Sequence, residues 1–246
     1  MFYRQYGKRL LDISLTVPGL IVLAPLLLLI AVAVKLGSRG PIFFSQPRVG
    51  KCGKAFRILK FRSMIVGAEK SGPAITASGD ARVTRVGRYL RRWKLDELPQ
   101  LWNVVKGEMS LVGPRPELPF YVRDYTEEQR GVFSVRPGIT DPAALQYRNE
   151  EEILAAAVDH EQFYKDVVLP DKLRLNLAYI QRISLRLDLV LVLMTLRVMP
   201  RGPMPRTDIS KIHAKTASRV SGEEVLPCAK NVVDTQSIPA REERKG

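Results

Sequence analysis

The sequence predicts an α+β protein: a membrane-embedded re-entrant helix, then a mainly helical domain with a small β-hairpin and interfacial amphipathic helices. Three observations carry that prediction. Residues 13–34 form an uncharged run of 22 residues, long enough to cross a hydrocarbon core of about 30 Å as one helix. Residues 41–64 read as two strands around a turn. Most of the later chain repeats its apolar residues at helical spacing. The boundaries implied are an N-terminal anchor at 1–40, with the re-entrant helix at 13–36, and a second unit at 41–200. Residues 201–246, where Pro, Ser, Lys and Glu dominate without periodicity, read as a disordered tail.

At 246 residues the chain holds one sizeable domain with appendages, and a hydrophobic fraction of 46% excludes a disordered chain. The net charge of +14 is unevenly spread: residues 35–94 hold 15 Lys or Arg against two acids, Glu69 and Asp80, a local net of +13. Such a block needs an anionic partner, whether nucleic acid, anionic lipid headgroups or a polyphosphate substrate. Cys52 and Cys228 match no metal or redox spacing, so a reduced, cytoplasm-facing chain is the plain reading.

Residues 1–12 mix Arg4, Lys8 and Arg9 with Phe2, Tyr3 and Tyr6, a composition suited to the membrane–water interface. The apolar run that follows is no removable signal peptide, since it lacks a small-residue cleavage site and leads into another basic segment. Cations flank both of its ends, and both ends therefore qualify as cytoplasmic. Pro25, with Pro18 and Gly19 before it, predicts a helix that enters, breaks near Ala24–Pro25 and returns to the same face. Ser14 and Thr16 are candidate internal donors, since lipid cannot satisfy freed carbonyls.

In the hairpin, PIFFSQ is the first strand, PRVGKCGK supplies the turn and AFRILKFRSM is the second strand, from which Arg57, Lys60 and Arg62 project. Glycines make residues 65–80 a loop, and residues 82–94 a basic helix. Residues 118–135 and 159–175 look helical, the latter interrupted at Pro170. Ser184 caps a last helix to about residue 199, too charged to span and suited to docking or to the interface.

Residues 95–117, LDELPQLWNVVKGEMSLVGPRPE, are the centre of the chain. Asp96 and Glu97 stand behind the basic run Arg91, Arg92 and Lys94. Pro99 suits a first helical turn, Leu98, Leu101, Trp102 and Val105 recur at helical spacing, and Gly107 is a stop signal. The acids thus lie at a helix N-terminus, and Arg115 is braced between Pro114 and Pro116. Two carboxylates among guanidiniums suit a divalent metal and a phosphate. Arg136, braced by Pro137, and Arg148 are secondary candidates for phosphate or nucleotide contact, with ordinary turn chemistry as the alternative.

From about residue 5 to residue 200 the chain resembles the bacterial sugar transferases, the monotopic polyprenyl-phosphate phosphoglycosyl transferases. The resemblance rests on ordered motifs: KRLLD (8–12), the apolar run with its central proline, PIFFSQPRVG (41–50), FRILKFRSM (56–64), the block at 95–117, VRPGIT (135–140) and LDL (187–189). It implies transfer of a sugar-1-phosphate from a UDP-sugar to undecaprenyl phosphate at the bacterial inner membrane, with the catalytic domain facing the cytoplasm. By the same resemblance Asp96 is the nucleophile on the sugar-bearing phosphorus, expelling UMP and leaving a phosphosugar–aspartyl intermediate. Glu97 supports that step, Mg²⁺ sits by Asp96, and Lys60, Arg62, Arg91 and Arg115 become phosphate contacts. The implied partners are the UDP-sugar, undecaprenyl phosphate and membrane lipids, with no nucleic acid and with a homodimer left open.

Two departures stand out. Ala24-Pro25 replaces a frequent Ser-Pro, removing a hydroxyl near the break. DPAALQYRNEEE follows VRPGIT in place of a Gly-Trp-x-Gln segment, so no sugar-contact roles are carried onto residues 141–152. The chain also resembles a minimal catalytic form, without the membrane bundle and nucleotide-fold domain of larger relatives. Two rivals remain at this level. A membrane-anchored nucleic-acid binder explains the basic block but needs neither Asp96-Glu97 nor a braced Arg115. A non-catalytic scaffold tolerates Asp96→Asn.

Overall fold

The computed structural model describes residues 2–72, 76 and 78–198; the tail expected at 201–246 lies outside them. A π turn at Tyr3–Gly7 opens into α1 (Lys8–Gly37), followed by β1 (Phe43–Val49) and β2 (Ala55–Phe61). Then come α2 (Arg85–Arg92), α3 (Gln100–Lys106) and β3 (Ser110–Val112). The single turns α4 (Pro119–Val122) and α5 (Glu127–Arg130) precede β4 (Gly138–Thr140). Next are α6 (Pro142–Gln146), α7 (Glu150–Ala155) and α8 (His160–Phe163). A π turn at Tyr164–Val168 leads into α9 (Leu169–Gln181), with Pro170 in its first turn, and α10 (Leu185–Val198) closes the chain. The mixed helix and sheet composition agrees with the α+β expectation.

Among the described residues, α1 with its preceding turn is the only helix long and apolar enough to cross a membrane. Its turns continue through Pro18 and Pro25, so the interruption expected at Ala24–Pro25 does not divide it. A proline removes one donor, and the turns on either side keep theirs. Ser14 donates to Leu11 O at 3.1 Å, away from Pro25.

Both ends of α1 dock on the rest of the protein. At the N-terminal end, Asp188 accepts from Tyr3, Lys8 and Tyr179, each at 2.6 Å. Arg9 donates to Val104 O (2.6 Å) and Val105 O (2.9 Å), and Asp12 accepts from Ser110 Oγ and Leu111 N–H, both at 3.0 Å. At the other end Ile30 and Val34 pack with Phe61 and Leu90. Between the two, Ile21, Val22, Leu28 and Leu29 are exposed by 66–77%.

The hairpin β1–β2 is antiparallel, with Phe43 opposite Phe61 and Val49 opposite Ala55. β1 outruns the predicted PIFFSQ strand and takes in Pro47, Arg48 and Val49. The turn needs only five residues, because Cys52 (φ 53°) and Gly53 (φ 73°) take left-handed conformations and Gly50 N–H closes on Lys54 O at 2.8 Å. Cys52 sits at the tip of this turn, and Cys228 lies outside the described residues.

β3 and β4 form a two-stranded parallel pair, Ser110 beside Gly138 and Val112 beside Thr140. The chains pass so closely that a Cβ on Gly138 would lie 2.1 Å from Gly113 N. The stretch 118–135, expected as one helix, is two short helices and a 3-10 turn. The largest core gathers Tyr121, Tyr164, Leu173, Ile180 and Leu191 under this sheet, and Ile58, Val104 and Met109 join the hairpin to α3.

Candidate active site

The site is built at the α2–α3 junction. Thr84 caps α2 by accepting from Gly87 N–H at 2.9 Å. Position 87 must be glycine, since a Cβ there would meet Ser63 O at 1.9 Å. After α2, Lys94 adopts a left-handed φ of 54° and reverses the chain into one 3-10 turn, Leu95–Glu97. That turn buries both acids, Asp96 (5% exposed) and Glu97 (8%), immediately ahead of α3. Gly107 ends α3 with a φ of 83°, the left-handed stop that a C-cap glycine supplies.

Glu97 is engaged on both oxygens. Lys60 donates to Oε1 at 2.8 Å, and Arg115 forks across the carboxylate, at 2.5 Å to Oε1 and 3.2 Å to Oε2. Burial alone raises its pKa, but Arg115 and Lys60 outweigh burial and hold Glu97 well below the usual carboxylate range. Glu97 in turn raises the Arg115 pKa. Burial lowers the Lys60 pKa against the pull of Glu97.

Asp96 is in a different state. Its Oδ1 is buried without a hydrogen-bond partner. Burial pushes its pKa up and the Glu97 charge adds to that, with Lys60, Arg91 and Lys94 acting in the opposite direction. Adjacent carboxylates are thus driven apart: one spent on cations, one with a bare oxygen and heightened basicity.

The two cations on Glu97 are held from behind. Asn103, 2% exposed, presents its amide to the edge of β2 as a neighbouring strand would. It accepts from Leu59 N–H (3.0 Å) and donates to Arg57 O (2.8 Å), fixing the strand that carries Lys60. Arg115 rides on a loop pinned on both sides of it: Gly138 N–H donates to Pro114 O (3.0 Å), Arg48 to Pro116 O (3.2 Å) and Val49 N–H to Glu117 O (3.2 Å). Tyr164 donates to Glu117 Oε1 at 2.8 Å. A cavity of about 20 Å³ beneath Arg115, lined by Asp141, Lys172 and Asn176 among others, has room for no more than a water.

The remaining candidates are dispersed. Arg62 donates to Val34 O (3.2 Å), Ser38 O (2.7 Å) and Ser38 Oγ (2.8 Å), closing the end of α1. Arg91 is paired with Glu151 of α7 at 2.5 and 3.1 Å, yet is near enough to act on Asp96. Arg136 donates to Gly107 O at 2.9 Å, at the far end of α3 from the acids. Arg148 lies between α6 and α7, where burial lowers its pKa. Asn103, Arg48, Glu117 and Glu151 were not singled out from sequence. Only Arg48 carried a signal, being preceded by Pro47 as Arg115 is by Pro114.

Among the described residues there is no group of three or more His, Cys, Asp or Glu side chains gathered for a metal. The donor set still suits Mg²⁺, which takes one or two carboxylates and completes its shell from water and phosphate. Asp96 is the carboxylate of the pair not already joined to a cation, and it would supply that ligand.

A sequence model described as bacterial sugar transferase matches residues 3–202. Over 202 residues the chain is 40% identical to UDP-N-acetylgalactosamine-undecaprenyl-phosphate N-acetylgalactosaminephosphotransferase of Aeromonas hydrophila, covering 79% of this chain and 44% of that protein. It is 40% identical over 197 residues to undecaprenyl-phosphate glucose phosphotransferase of Komagataeibacter xylinus, covering 77% and 35%. An uncharacterized sugar transferase of Bacillus subtilis, EpsL, is 34% identical over 215 residues, covering 87% and 96%. The chain therefore spans less than half the length of the first two relatives and nearly all of the third. The family match encloses every element from α1 to α10, including the Asp96-Glu97 turn and the Arg115 loop: this chain belongs to the bacterial sugar transferase family.

Proposed function

We propose that the chain is a polyprenyl-phosphate sugar-1-phosphate transferase, moving a sugar-1-phosphate from a UDP-sugar to undecaprenyl phosphate and releasing UMP. The observation that carries this reading is the Asp96 carboxylate, buried, unpartnered at Oδ1 and adjacent to a fully engaged Glu97. A carboxylate oxygen of Asp96 attacks the sugar-bearing phosphorus, and the bond to UMP breaks. The phosphosugar–aspartyl intermediate is then attacked at the same phosphorus by an oxygen of the lipid phosphate, which restores the carboxylate and gives the polyprenyl diphosphate sugar. Splitting the displacement lets two bulky substrates use one site in turn.

In this reading Glu97 positions charge. It sets Lys60 and Arg115 against the phosphate oxygens, where negative charge builds up at the transition state. Arg91, held by Glu151, stands in the second rank with Arg62, Arg136 and Arg148. Asp96 would hold Mg²⁺, which would supply further neutralisation of phosphate oxygens.

The acceptor phosphate lies at headgroup level, so the site must be held there. Both ends of α1 dock on one body while its middle stands clear, which favours a re-entrant anchor over a span. The domain then faces the cytoplasm from the bacterial inner membrane, with access to UDP-sugars. The product starts assembly of an exopolysaccharide, capsule, O-antigen or glycoprotein glycan.

The test is UMP release by the purified chain given undecaprenyl phosphate and a panel of UDP-sugars, beginning with UDP-glucose and UDP-N-acetylgalactosamine. Asp96→Asn is expected to abolish UMP release. Undiminished turnover in that variant refutes the proposal.

A further inference from the structure

Helix α2 turns a stripe of arginines outward. Arg85, Arg88 and Arg92 recur at i, i+3 and i+7, which aligns them on one face of a helix. All three are exposed, and among the described residues none has a carboxylate partner. The ion pairs nearby belong to other cations, Arg91 with Glu151 on the inner side and Arg82 with Asp80 before the helix. Tyr89, 69% exposed, and Trp93, 37% exposed, border the stripe.

The opposite face of α2 is apolar and rests on the anchor. Val86 and Leu90 pack with Ile30 and Val34 of α1. A Cβ on Gly37 would come within 2.6 Å of Val86 Cγ2, so the stripe begins where the apolar helix ends. Guanidiniums alternating with Tyr and Trp at the end of a hydrophobic helix have the composition of a bilayer headgroup layer's protein partners. Three like charges within two turns repel one another and favour a counter-charge, which the described residues do not provide.

We propose that the outer face of α2 binds anionic phospholipid headgroups and so fixes the height of the α2–α3 junction at the bilayer surface. Asp96 lies four residues beyond Arg92, so headgroups on the stripe keep the carboxylate at the level of a lipid-borne phosphate. The proposal rests on reading α1 as membrane-embedded.

The test uses the full chain with Trp102→Phe, which leaves Trp93 as the single tryptophan, in phosphatidylcholine nanodiscs. Trp93 fluorescence is followed with acyl-brominated phosphatidylglycerol or acyl-brominated phosphatidylcholine at equal mole fraction. Stronger quenching by phosphatidylglycerol is expected, since each arginine near the surface contributes about a fivefold preference. The difference should vanish near 1 M salt, where the screening length falls to about 3 Å. It should also vanish in Arg85→Gln/Arg88→Gln/Arg92→Gln at an unchanged melting temperature. The wild-type comparison of the two lipids decides the question even if the triple variant unfolds. Equal quenching by both lipids overturns the proposal, as does no quenching by either while the chain stays in the disc. A chain that elutes apart from the discs refutes the anchor reading instead, and the proposal with it.

Discussion

Asp188→Asn tests the lock at the N-terminal end of α1. The Asp188 side chain is 1% exposed and that of Lys8 is 11%, so this ion pair is buried and little screened by solvent. The Asp188 carboxylate takes three donors, Lys8 and the hydroxyls of Tyr3 and Tyr179. Asparagine keeps the size but removes the charge opposite Lys8 and puts an amide donor where a donor must be accepted. Breaking one side of such a pair costs about 3–5 kcal/mol. For a domain of this size that is a fall of about 6–20 °C in melting temperature. Thermal unfolding in detergent micelles, followed by near-ultraviolet circular dichroism, reads it directly. Lys8→Met/Asp188→Leu combined with Tyr3→Phe/Tyr179→Phe removes both charges and the two hydroxyls that Asp188 accepts from, and should recover most of the loss, because a fully apolar replacement leaves no buried group unpaired. A single variant melting within about 1 °C of wild type refutes the reasoning, as does a combined variant no better than the single.

Two further outcomes follow from the site and the anchor. Burial and the Glu97 charge raise the Asp96 pKa, while Lys60, Arg91 and Lys94 oppose them. Asp96 must be ionised to attack, so activity rises with pH as it loses its proton. Lys94→Gln removes one opposing charge and should move the acid limb of kcat/KM to higher pH, the more so at low salt. A limb that moves to lower pH contradicts the assignment of Asp96. For the anchor, single cysteines placed before residue 8 and after residue 37, in a Cys52→Ser/Cys228→Ser background, should both react with an impermeant maleimide only after the cytoplasmic face is opened. Labelling from opposite faces shows a span.

Local signals along the chain read well where the outcome depends on neighbours in sequence. The acid pair ahead of a helix, the Gly107 stop and the cap at Ser184 all lie where residue type predicts them. Helical spacing found α3 but could not give its buried face. Its buried residues are Gln100, Asn103 and Val104, while Trp102 is 51% exposed. Polar residues face inward because Asn103 satisfies the edge of β2, a demand set by a strand 44 residues away. Lys60 and Arg62 look equivalent as alternate residues of one strand. β2 ends at Phe61, however, so Lys60 reaches Glu97 while Arg62 closes α1.

By itself the sequence determined the chemistry on offer: an apolar helix with cations at both ends, two adjacent carboxylates at a helix start, and an arginine between prolines. Those follow from composition, backbone restriction and period, which are local. Tertiary structure alone decided which cations meet Glu97, why Asp96 keeps a bare oxygen, and that both ends of α1 rest on one body. Those depend on through-space pairing and burial, where a partner's distance along the chain carries no information about its distance in the fold.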